Sequence, residues 1–154
     1  MQDLQLLLAQ KKQKLEAEYP QWEKKREEWI TRLNHLFSLI HNCLKSLENN
    51  DYLEISYADI SISERLIGRY SVQKMTITFF NNEKIELIPA GLHIIGAKGR
   101  VDIKIGMRRI GIVGSDDDSG WMFSEREGRL ERPRTWSFNE DNFKAVLAEF
   151  AEEF

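Results

Sequence analysis

Only one cysteine, Cys43, and three histidines, His35, His41 and His93, occur in the 154-residue chain. A single thiol excludes an internal disulfide framework and any multi-cysteine zinc site, and it fits a reducing compartment. His35 and His41 fall six residues apart on one candidate helix, about 240° around it, so they cannot grip a metal as an i, i+4 pair does. His93 stands alone between Leu92 and Ile94. No metal or cofactor is therefore expected. There is no Gly-x-Ser-x-Gly elbow to hold a nucleophile, and Cys43 lies on a helix face whose pattern predicts burial and an inert thiol. Carboxylate neighbours such as Glu83 and Glu86 are what any acidic chain offers, so no catalytic residue is assigned.

Long apolar runs are also missing: none approaches the ~18 residues of a membrane span. The leucine patch near the start has Asp3 ahead of it and Lys11 and Lys12 behind. That charge order is the reverse of a secretory signal, so the expectation is a cytoplasmic protein with no membrane partner. Nor does one sign of charge dominate. Lys+Arg 22 against Asp+Glu 25 leaves −3, too little for a whole-molecule attraction to nucleic acid or anionic lipid. The acidity is concentrated at the end, where residues 139 to 154 hold five acidic groups and a lone Lys144. No internal repeat or low-complexity linker interrupts the chain.

What is present is an apolar content of 42% in a chain of one-domain length, enough for a single core. From Tyr19 to Leu47 the apolar residues fit a heptad frame, with Tyr19, Leu33, Ile40 and Leu47 at a, Trp22, Trp29, Leu36 and Cys43 at d, and Ile30, Phe37 and Leu44 at e. Arg26 is the one misfit at a. The stripe is wider than a two-stranded seam, which favours packing against a bundle or a globular body. If fully buried, it is worth a gross ~15 to 30 kcal/mol before entropy. Pro20 suits a first helical turn, so residues 2 to 18 are expected to form a separate or kinked helix with a weaker stripe of Leu4, Leu7, Leu8 and Leu15. Asn49 and Asn50 stop the arm.

Beyond Tyr52 the period changes to two and glycines punctuate the chain, as in an antiparallel meander of six or seven strands. Leu53 to Ile62 reads as a strand, Ser63 to Arg69 as a helical turn, and Lys74 to Phe80 as a strand paired with Lys84 to Ile88. An odd-numbered loop is needed there to keep apolar residues on one face, pairing Phe79 with Ile85 and Ile77 with Leu87. Arg100 to Ile105 and Arg108 to Val113 flank Gly106-Met107, a type II′ hairpin signal that sets Ile103 against Ile110 and Val101 against Ile112. Strands follow at Trp121 to Ser124 and Arg134 to Phe138. A helix from about Glu140, capped by Asn139 or Ser137, carries Phe143, Val146, Leu147, Phe150 and Phe154 inward. The whole is an α+β protein: a helical arm over residues 1 to 50, and a β-sheet body closed by a C-terminal helix over residues 51 to 154. Residues 28 to 47 are expected to cover the body, with residues 1 to 27 reaching outward and Arg26 at the change.

Two surfaces could carry function. The arm offers Tyr19, Trp22, Arg26, Trp29, Ile30 and Leu33 for contact with a second copy or another protein. The second hairpin offers Lys98, Arg100, Lys104, Arg108 and Arg109, enough cations to grip several phosphates, although Asp116, Asp117 and Asp118 lie close enough to neutralise some of them. The run Gly96-Ala97-Lys98-Gly99-Arg100 has the composition of a phosphate cradle but leads into a strand, as an ordinary β turn does. Asp116 to Gly120 lacks the spacing of a calcium loop and reads as a solvated turn. The leading expectation is a non-catalytic interaction or assembly component, such as an accessory subunit or an immunity- or antitoxin-like inhibitor. A nucleic-acid-associated factor is the alternative, and a small hydrolase or transferase comes third.

Overall fold

A computed structural model describes residues 3–65, 67–94, 97–114, 120–126, 128 and 132–154, with the backbone alone at 93, 94 and 97. Helix α1 (Leu4–Asn49) is followed by β1 (Leu53–Glu64), β2 (Gly68–Phe79), β3 (Lys84–Ile94), β4 (Ala97–Ile105), β5 (Arg108–Gly114), β6 (Trp121–Glu125) and β7 (Arg134–Ser137), and helix α2 (Glu140–Ala151) closes the chain. The seven strands form one antiparallel sheet in sequence order, a meander. Among the described residues, no helix is long and apolar enough to cross a membrane.

One 46-residue helix replaces the expected pair. Pro20 lies inside it. A proline forfeits its own N–H bond and crowds the preceding turn, but the helical turns on either side keep their bonds and continue. Asp3 caps the start by accepting from the Gln5 amide, and Asn50 ends the helix, its side chain donating to the Ser46 carbonyl at 2.8 Å. Six α1 side chains are buried, Trp29, Leu33, Leu36, Phe37, Ile40 and Leu44. They join Met75, Ile77, Ile85, Leu87, Ile103, Ile110, Ile112 and Phe123 from the sheet, and Phe143, Val146 and Leu147 from α2, in one core. The change of period near residue 50 therefore divides helix from sheet without dividing the core.

The β4–β5 hairpin has the expected register, Ile103 opposite Ile110 and Val101 opposite Ile112. Gly106 supplies the positive φ of 58° that its turn requires. The β2–β3 register differs from expectation: Ile77 faces Ile85 and Met75 faces Leu87, so five residues, Phe79 to Glu83, connect the pair. The odd loop and the faces hold, but the pairing has moved by two residues, which hydrophobic alternation cannot detect. Phe79 stands opposite Leu53 instead, with its ring 5.2 Å from that of Phe154.

Ser63, Glu64, Gly68 and Arg69, expected in a helical turn, are strand residues. β1 and β2 run on as strands until Glu64 meets Gly68. Along this hairpin the inward set changes parity: Met75 and Ile77 are buried at one end, Tyr70 and Val72 at the other. The strand register is unbroken, so the ribbon must coil, as two-stranded ribbons readily do. Its far end turns its other face toward α1.

Candidate functional site

Where α1 leaves the body, a ring of side chains clamps it. The Trp29 indole donates to the Tyr70 hydroxyl at 3.0 Å, and that hydroxyl donates to Glu64 at 2.5 Å. The other Glu64 oxygen accepts from the Leu92 amide at 3.0 Å. Burial, and then the Glu64 carboxylate, push the Tyr70 hydroxyl well above the usual phenol range, so it stays a donor. Trp29 also lies against Gly99, where φ is +93° and an added Cβ would come 2.3 Å from the ring. Only glycine lets strand and indole approach so closely. Arg26 donates to the Ile67 carbonyl at 3.4 Å, and Arg32 donates to the Lys98 carbonyl at 3.1 Å while covering the Trp121 ring at 4.8 Å.

This clamp divides the proposed contact residues. Trp29 and Leu33 are 1% and 2% exposed, so these two are core and not contact surface, and Ile30 packs half-buried against the same core. A wide a/d/e stripe at this level is used up by the chain's own sheet. Arg26 is half-buried at the margin. Trp22 is half-buried with Lys25 over its ring at 4.7 Å, and Tyr19 is exposed. Farther out on α1 the exposed apolar side chains are Leu4 (66%), Leu8 (57%), Leu15 (53%) and Tyr19 (54%) along one side, with Leu6 (53%) off that line. Leu8, Leu15 and Trp22 continue at seven-residue spacing the line of Trp29 and Leu36, which is buried on the body. The leucine spacing was visible in the sequence. That these leucines, and not Trp29 or Leu33, remain uncovered was not.

The basic hairpin is divided as well. Arg100, Lys104 and Arg109 share the sheet face turned away from the helices, since they alternate with the inward Val101, Ile103 and Ile110. Lys98 has the same parity, is exposed, and lies beside His93 in the ladder. Arg108 lies on the opposite face with Ile110. There it meets Glu125 at 2.5 and 2.8 Å and Glu149 of α2 at 2.7 Å, an internal tie that removes it from any anion surface. Those bonds hold the buried Glu125 carboxyl below the usual carboxylate range. Arg100 is paired with Asp102 at 2.7 Å, and its guanidinium lies over Gly111. Lys104 stands directly opposite Arg109 on one side and Glu86 on the other. Glu86 is bonded to Lys74 at 2.9 Å, which with Lys104 nearby keeps its carboxyl low. Gly96 and Asp116 to Ser119 lie outside the described residues.

One constellation escaped the sequence reading. His41 Nδ1 is 2.8 Å from the Tyr57 hydroxyl and Nε2 is 3.0 Å from Glu48, whose second oxygen accepts from the Ile55 amide at 3.2 Å. All these bonds are satisfied together when the phenol donates to Nδ1 and Nε2–H donates to the carboxylate. The arrangement resembles a proton relay, but burial and Glu48 push the Tyr57 hydroxyl up, so it remains a phenol at neutral pH. Its role in the fold is to tie β1 to the end of α1. The signal was the seven-residue spacing of His41 and Glu48, two turns apart on one helix face. Near it, Cys43 borders an open cleft of about 480 Å³ between α1 and the start of α2. Desolvation pushes its thiol up, away from the reactive range. No protein-family model matches this chain, and neither does any curated protein or solved structure.

Proposed function

We propose that this chain is a non-catalytic interaction or assembly component that meets another protein chain through the outer part of α1. The observation that carries this reading is the uncovered line of Leu4, Leu8, Leu15 and Tyr19 on a helix whose inner half is locked into the body. Residues 4 to 28 extend about 37 Å at 1.5 Å per residue. Most helical stability in proteins comes from packing an apolar face and not from propensity. The stripe therefore has most to gain from a protein surface of matching helical period. A photoreactive residue at position 8 tests this in living cells, with position 76 on the outer sheet face as control. A discrete cross-linked species from position 8, lost when Leu4 and Leu15 are changed to Glu, is expected. Equal yields from both positions would sink the reading.

A second reading, nucleic-acid association, is favoured by one specific feature. Lys104 and Arg109 are directly opposed on the open sheet face. Like charges facing each other across a ladder destabilise it unless an anion bridges them.

A further inference from the structure

We infer that the partner of the arm is a second copy of this chain, with the two α1 helices antiparallel and crossing a dyad at Leu15. The inference rests on the reading of the arm as a protein contact, and it adds the identity and direction of the partner.

Charge along the arm is the first argument. Residues 3 to 15 hold Lys11, Lys12 and Lys14 against Asp3, a net +2. Residues 16 to 28 hold Lys24, Lys25 and Arg26 against Glu16, Glu18, Glu23, Glu27 and Glu28, a net −2. An antiparallel pair sets the positive half of each arm on the negative half of the other, whereas a parallel pair sets like on like. A dyad interface must be self-complementary in this way. About Leu15, Lys12 comes opposite Glu18 and Lys14 opposite Glu16, with Leu15 on Leu15 and each Leu8 on a Trp22.

Length and direction agree. The stretch of α1 from Leu4 to Arg26 holds no buried side chain, and Arg26 bonds the Ile67 carbonyl between β1 and β2. The midpoint of that stretch is Leu15. The arm's apolar line is in phase with the line that already faces the sheet, so parallel helices joined through it would drive two bodies into the same space. Antiparallel arms place the bodies at opposite ends.

The test uses the full chain. Sedimentation equilibrium is expected to give twice 18.1 kDa, falling to the monomer mass for the double variant Leu8→Glu, Leu15→Glu with an unchanged near-ultraviolet dichroism of the body. In a Cys43→Ser background, spin labels at Gln5→Cys are expected to lie about 30 Å apart across the dimer, twenty residues of axial offset. Mixing Gln5→Cys and Lys25→Cys chains is expected to add a short separation, on the order of the 8–10 Å between packed helices. A monomer at every concentration overturns the inference. If position 8 still cross-links to a different protein in cells, the assembly reading survives that result. A dimer that persists in the double variant, or a short Gln5–Gln5 distance, overturns the antiparallel arm.

Discussion

Arg108 shows how one residue can leave its apparent group. Flanked by Lys104 and Arg109 in sequence, it turns to the helical face because strand alternation puts it with Ile110, and there Glu125 and Glu149 receive it. Removing it leaves Glu125, 8% exposed, without its hydrogen-bonded cation and with only the charge of Arg134 across the ladder. Arg108→Met is expected to cost about 3 kcal/mol in chemical denaturation at pH 7. The pH dependence follows from the lowered Glu125 value. A carboxyl depressed in the folded state stabilises the fold above its ordinary 4.5 and loses that contribution as pH falls through the depressed value. The cost of Arg108→Met should therefore shrink as pH falls from 7: desolvation makes the variant's Glu125 take up its proton above 4.5, and the intact pair loses its own contribution below it. A cost unchanged between pH 7 and pH 4 would show that the pair is not what the substitution removes. Arg108 was legible as a cation. Its partners, 17 and 41 residues away, were not.

At the scale of the element, α1 is two structures on one helix. Its inner half has six buried side chains, while residues 3 to 28 have none. A chain beginning at Gln21 is expected to keep its unfolding midpoint within about 2 °C of the full chain, because exposed positions contribute little to the folded body. The comparison belongs in dilute solution, where mass action does not add the stability of an associated arm. Near-ultraviolet dichroism checks it, and a fall of ten degrees or more would show that the outer half supports the core. Heptad spacing was enough to recognise the helix and to place the change near Arg26. It misjudged Pro20, since a proline is compatible both with the start of a helix and with the interior of a long one. The β1–β2 ribbon hid its far half for a related reason. Its inward positions change parity between Val72 and Met75, so no single alternation runs through it.

For the whole molecule, the sheet has one covered and one open face. The helices lie over the inward side, and the other presents Lys74, Lys84, Lys98, Arg100, Lys104 and Arg109 with Glu54, Glu86 and Asp102. A surface mixed in this way attracts phosphates only through cations that lack an internal partner. If nucleic acid binds, its affinity for mixed-sequence DNA should fall steeply with salt, and Lys104→Glu with Arg109→Glu should flatten that dependence by about two counterions. Arg108→Met should leave it unchanged. Fluorescence anisotropy across a salt series measures both. Binding indifferent to Lys104 and Arg109 would remove this reading and leave the arm as the contact surface.

The amino-acid sequence by itself determined the order and kind of most elements, though not the unbroken course of α1 through Pro20 or the full length of β1 and β2, because element types follow from periods of 3.6 and 2 and from turn residues acting over a few positions. It also determined the tight β4–β5 register through Gly106. Tertiary structure alone decided which part of a continuous apolar stripe is covered, which cations are neutralised and how His41 meets Tyr57. Those outcomes depend on which distant residues the sheet brings beneath each side chain, and charge or hydrophobicity read along the chain does not record that distance.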